Sequence, residues 1–248
     1  MRGKTVVLGG AALALAAVAL AGVTFADGSS SPQLTIFAAA SLTNVFPRLD
    51  PHDRYSFGGS NDLAAQVRQG APADVFASAD TKLPEHLYRQ RLVEKPVVFT
   101  RNELVLIVPK ANPAGIDRVG DLTKPKIKLV IGAAGVPVGD YTRTVLAKLG
   151  LARLVRKAVS QETDVREVLT KVALGEADAG FVYKTDAQSV SGKVTTIGIP
   201  RSAQPIVRYA AAVVRSTTHP VAARAFVASL LGSRGQRLLR AAGFLGRR

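Results

Sequence analysis

The chain has 248 residues, 33 Lys and Arg against 18 Asp and Glu, a formal charge of +15, three His, and neither Cys nor Trp. Without Cys there is no disulfide framework and no lipid attachment through an N-terminal Cys. The basic balance suits anions in general, but Lys and Arg are spread along the chain with no aromatic interleaving, apart from one cluster (Arg234, Arg237, Arg240, Arg247, Arg248), so a solvated surface that concentrates anions is expected rather than nucleic-acid binding.

Residues 1–26 read as a secretory signal peptide. Arg2 and Lys4 form the positive n-region, Val6–Ala21 is apolar, and Thr24-Phe25-Ala26 offers small residues for cleavage. The protein is therefore expected to be exported, periplasmic or cell-surface associated; retention of the apolar run as an anchor is the alternative. Roughly 220 residues remain, enough for one large domain or two lobes of about 100 each.

The stretch LTIFAAASL (Leu34–Leu42) reads as a strand, a run of small residues, and Ser41 as N-cap of a helix over Leu42–Leu49. Tyr55–Phe57 reads as a second strand, closed by Gly58-Gly59-Ser60, with Ser60 capping a helix over Asn61–Gln69 and Gly70 stopping it. A third strand lies in Ala73–Asp80, followed by a helix over Lys82–Arg91. Glu103–Pro109 and Lys128–Gly132 are strands, and Val136-Pro137-Val138-Gly139 leads into a helix over Asp140–Leu149. Ala158–Ser160 is a short strand before the helix Val165–Leu174, whose first turn is acidic, as the helix dipole favours. Ala177–Tyr183, Val194–Ile199 and Val207–Val214 are strands, and two amphipathic helices, Pro220–Leu231 and Ser233–Ala242, close the chain. Strands alternating with helices of about ten residues predict an α/β protein with parallel sheets covered on both faces. The long strands at 103–109 and 207–214 are placed as if the chain enters a second lobe by one and leaves it by the other.

Catalytic constellations are missing. His52, His86 and His219 stand beside no Ser or Cys nucleophile, there is no G-x-S-x-G, GxxxxGK[ST] or GxGxxG, and the Asp residues are too scattered for a cation site. What recurs is a helix entrance after a strand or loop, at Ser41, Ser60, Val138 and Val165, joined by the strand-terminal Tyr183. Each entrance presents backbone N–H and the positive end of a helix dipole, none carries a full positive charge, and hydroxyls are added at some of them. Such an inventory suits a fully deprotonated oxyanion, which can only accept hydrogen bonds, although every α/β protein has helix entrances.

FAAASLTNV (Phe37–Val45), GAPADVFASAD (Gly70–Asp80), VPVGDY (Val136–Tyr141), DVREVL (Asp164–Leu169) and AGFVYKTDA (Ala179–Ala187) resemble, in order, the signature blocks of the ModA-like molybdate-binding proteins of bacterial ABC transporters. The resemblance implies a periplasmic-binding-protein type II fold, two α/β lobes joined by two crossing strands: lobe 1 from 27–105 and 208–248, lobe 2 from 106–207. It implies no enzyme, no catalytic residue and no cofactor. The ligand would be molybdate or tungstate, with molybdenum held as an oxyanion and no metal bound as a cation. Ser41 and Ser60 would donate from lobe 1, and the amides of Val138 and Val165 with the Tyr183 hydroxyl from lobe 2. Partners would be a membrane ABC permease with its cytoplasmic ATPase, and the protein would act as a monomer. The chain departs from the family pattern in a shortened Ser41–Ser60 segment, in Val at 138 where Ala is frequent, and in its basic C-terminus. Rival readings are a binding protein for another tetrahedral oxyanion such as sulfate, a secreted serine hydrolase using Ser41 or Ser60, and a basic protein that binds anionic polymer.

Overall fold

A computed structural model describes residues 1–3 and 32–247; apart from its first three residues, the expected signal peptide lies outside the described residues. Two five-stranded sheets organise the rest. The first has the order β2 (Arg54–Gly58), β1 (Thr35–Ala39), β3 (Val75–Ser78), β10 (Val207–Val213), β4 (Val97–Asn102). The second has the order β7 (Ser160–Glu162), β6 (Leu129–Gly132), β8 (Ala179–Tyr183), β5 (Leu104–Pro109), β9 (Val194–Ile197). The α/β fold with two lobes follows directly from this pairing. Strands β3, β6 and β8 are buried along their whole length, as expected of strands covered by helices on both faces.

Helices α2 (Ser60–Arg68) and α5 (Val165–Ala173) bury Leu63, Ala64 and Val67 in one case and Val168, Leu169 and Val172 in the other, the i, i+1, i+4 stripe that their sequences predict. Gly70 and Gly175 follow them at φ 82° and 76°, so both helices end in the left-handed conformation that glycine adopts at least cost. The remaining helices are α1 (Phe46–Leu49), α3 (Lys82–Arg89), α4 (Pro137–Lys148), α6 (Lys184–Ser189), α7 (Pro220–Leu231) and α8 (Ser233–Ala241).

Three expectations are corrected. The helix over Leu42–Leu49 is a 3-10 turn at Ala40–Leu42 and then the single turn α1, because Pro47 and the short segment before β2 leave no room for more. The sheets are mixed rather than parallel: β10 runs antiparallel to β3 and β4, and β5 antiparallel to β8 and β9. Strand β4 has no counterpart in the sequence reading. It pairs with β10 in the first sheet and is separated by Glu103 alone from β5, which lies wholly in the second. The chain thus changes sheet at Glu103 and returns in the segment 198–206 before β10.

The first change of sheet is held by hydrogen bonds on both sides. Asn102 Nδ2 donates to Thr185 Oγ1 at 2.9 Å, Lys184 N to Glu103 O at 2.8 Å, and Gln204 Nε2 to Leu104 O at 2.9 Å. A line of edge-to-face aromatics runs behind it: Phe99 to Tyr209 (6.1 Å), Tyr209 to Tyr183 (5.7 Å) and Tyr209 to Phe244 (5.5 Å).

Candidate functional site

Helix entrances from both sheets meet around one small cavity. Ser41, Ser60, Val138, Val165 and Tyr183 all line it, together with the small residues Ala39, Ala40, Gly58, Gly59 and Ala79. It is floored by strand ends: β1 finishes at Ala39, β2 at Gly58 and β8 at Tyr183. Ligands in open α/β sheets sit outside the carboxyl ends of the strands.

Ser60 and Val165 are the first residues of α2 and α5, and Val138 is the second of α4, so their N–H groups have no acceptor within their own helices. Neither serine is an N-cap, contrary to the sequence reading. The cap positions are Ala39 and Gly59, and neither makes a side-chain cap bond. Both hydroxyls are used elsewhere. Ser60 Oγ accepts from Ala79 N at 3.1 Å, and Ser41 Oγ lies 2.8 Å from Tyr209 Oη. Asn102 Nδ2 donates to Tyr209 Oη at 3.4 Å. In the Ser41–Tyr209 bond either hydroxyl can be the donor. Ser60 Oγ, which accepts from Ala79 N, keeps its own proton available to an acceptor in the cavity.

Tyr183 completes the donor set. It is 1% exposed, and its hydroxyl has no hydrogen-bond partner among the described residues. Burial pushes its pKa well above the usual tyrosine value, so it stays protonated and can donate. A buried hydroxyl without an acceptor costs about 1–3 kcal/mol, which a bound acceptor would recover.

No Lys or Arg lines the cavity. Its one ionisable carboxyl, Asp164, is the N-cap of α5, and Oδ1 accepts from Arg166 N at 2.6 Å and Glu167 N at 3.1 Å. Burial raises its pKa against those two bonds. Behind Tyr183, Asp186 is fully buried and its pKa is pushed up to about 7 by desolvation. Arg166 Nε stands 3.1 Å from Asp186 Oδ1 without hydrogen-bond geometry, so the pairing offsets only part of the burial cost.

Two glycines allow the close approach of the walls. A Cβ on Gly139 would overlap the carbonyls of Gly132 and Ala133, so the entrance of α4 can sit against the end of β6 only with glycine there. A Cβ on Gly59 would overlap the carbonyl of Thr163, which belongs to the opposite lobe. Gly59 itself has φ −60° and ψ 129°, a conformation open to any residue, so what it serves is inter-lobe clearance rather than local geometry. Tyr209, Asn102 and the role of Gly59 are missing from the sequence reading. Tyr209 lies 168 residues from Ser41, and no local pattern links them.

The family of bacterial extracellular solute-binding proteins matches residues 52–245, a span containing every cage residue except Ser41. This chain belongs to that family. It is 36% identical to the molybdate-binding protein ModA of Mycobacterium tuberculosis (strain H37Rv) over 252 aligned positions, covering 93% of this chain and 95% of that one. It is 32% identical to the ModA of Escherichia coli K12 over 251 positions, covering 95% of each. Among solved structures, the periplasmic molybdate-binding protein of Azotobacter vinelandii superposes with a TM-score of 0.76 at 25% identity, covering 86% of this chain and 99% of that one.

Proposed function

We propose that this solute-binding protein captures molybdate, and tungstate with it, outside the cytoplasm and delivers it to an ABC permease driven by a cytoplasmic ATPase. The observation that carries this reading is the buried Tyr183 hydroxyl, left without an acceptor in a cavity lined by helix entrances and by no cation. Such a cage offers hydrogen-bond donors. It suits an anion that has no proton to donate and discriminates against one that must. The molybdate-binding relatives, aligned over nearly the whole chain, point to the same ligand class.

The anion is held by Ser41 and Ser60 from the first lobe and by the amides of Val138 and Val165 with Tyr183 Oη from the second. Because it bonds to both walls, it favours the closed arrangement over an open one by the full set of bonds made across the cleft. Neutral donors bind it without a buried ion pair, so the desolvation cost of a guanidinium or ammonium is avoided and release to the permease needs no charge separation. The protein works as an exported monomer.

Titration calorimetry of residues 27–248 with molybdate, tungstate, sulfate and phosphate at moderate salt tests this. Tight one-to-one binding of molybdate and tungstate with sulfate silent is expected. Tight sulfate binding would reassign the ligand while keeping the five donors, and silence with all four would remove the oxyanion reading.

A further inference from the structure

A second cavity, about 550 Å³ in volume, shares Ser41 with the cage and is much larger than an inorganic oxyanion requires. It falls within the range of small-molecule sites. Three arginines line it: Arg48 on α1 and Arg240 on α8 from the first lobe, and Arg166 on α5 from the second. Gln188 and Ser189 add neutral polar groups, and no acidic side chain lines it.

Little offsets this charge. Among the described residues Arg48 and Arg240 make no ion pair, and Arg166 meets Asp186 at 3.1 Å while donating to Ser189 Oγ at 3.3 Å. After Asp186 the chain contains no Asp or Glu at all, so α8 has no acid of its own or of its chain neighbours to pair with. Guanidinium groups present planar pairs of donors that match phosphoryl oxygens bidentately.

We propose that this cavity is a second anion site, which takes a soluble organic polyanion bearing phosphoryl groups, held by Arg48 and Arg240 on one lobe and Arg166 on the other. A ligand gripping both lobes also favours closure, so it and the oxyanion in the cage strengthen each other's binding reciprocally. The site itself stands on this cavity alone; only the coupling rests on the molybdate reading.

Inorganic pyrophosphate is the probe, titrated calorimetrically into residues 27–248 at moderate salt, with and without saturating molybdate. One-to-one binding is expected, weakened at least tenfold in the Arg48→Ala/Arg240→Ala double variant and less than twofold in Arg68→Ala, an exposed arginine on α2 away from the cavity. If the double variant does not fold, the two single variants replace it. No binding to either form, or equal loss in the Arg68→Ala control, would overturn the site. Tightening by molybdate reports the coupling. Pyrophosphate binding that molybdate leaves unchanged would keep the site and remove the coupling.

Discussion

The wall of the cage built on the first sheet presents side-chain hydroxyls, Ser41 and Ser60, each already engaged with a neighbour and so held in one orientation. The wall built on the second presents Val138 and Val165, whose side chains are buried in the core and whose backbone N–H groups have no acceptor within their own helices, together with the unpartnered Tyr183 hydroxyl. The two walls supply the same kind of donor by different means. Side-chain substitution can remove a donor on the first wall and at Tyr183. At Val138 and Val165 the donor is a backbone N–H, which only a proline substitution or a shift of the helix removes.

The largest effect is expected from closing the gap between the walls while touching no donor. Gly59→Ala places a methyl group against Thr163 O, so molybdate affinity should fall on the order of 100-fold, about 3 kcal/mol, in calorimetry. The Gly59 backbone conformation is open to Ala, so any fall in the thermal midpoint of the ligand-free variant reports the inter-lobe overlap with Thr163 O and not local backbone strain. An unchanged affinity would mean that the walls do not approach as closely in the bound form.

Tyr183→Phe removes a hydroxyl that the ligand-free protein leaves unsatisfied. It should cost about 1.5–3 kcal/mol in binding yet leave the ligand-free protein as stable or more stable, opposite signs that calorimetry and thermal unfolding read separately. Ser41→Ala keeps the amide and leaves Tyr209 its contact with Asn102, so a smaller loss of roughly 1 kcal/mol is expected; complete loss would point to a different binding geometry. Val138→Ala should change affinity by less than about twofold while lowering stability by about 2 kcal/mol, since its side chain belongs to the core and its amide alone to the cage.

Behind the second wall, Asp186 gives that side a pH dependence. Its carboxyl titrates near 7 in the fold against about 3.9 in an unfolded chain. The folded state binds the extra proton between those values, so this group's contribution to stability is greatest below about pH 4 and is lost as pH rises through about 7. Chemical denaturation across that range should show Asp186→Asn lacking this part of the fall, and parallel curves for the two proteins would refute the assignment.

The contrast between the walls also explains what was legible in the sequence. Ser41, Ser60, Val138, Val165 and Tyr183 are each visible as the end of a strand or the start of a helix, because such junctions are written in adjacent residues: three alanines before Ser41, Gly58-Gly59 before Ser60, Pro137 before Val138, Asp164 before Val165, and an apolar run ending at Tyr183. Their convergence on one cavity follows from the alternation of strand and helix in each lobe, which sets the carboxyl ends of the strands on the side where the lobes face each other.

The tertiary structure decided the rest. Strand β4 is not legible in the sequence, because Pro96 precedes it, its end is polar, and Glu103 alone separates it from β5, with no turn residue to mark the change of sheet. The directions of β5 and β10 are not legible either, because a strand's sequence carries its burial and not its orientation. The partners that orient the site, Tyr209 and Asn102 for Ser41 and Ala79 for Ser60, lie between 19 and 168 residues from the groups they hold or relay to. Composition and short-range pattern therefore set which backbone donors exist, since helix starts are local events. Which hydroxyl protons are free, and how near the two walls come at Gly59 and Thr163, depend on contacts between segments far apart in the chain, which no window of the sequence contains.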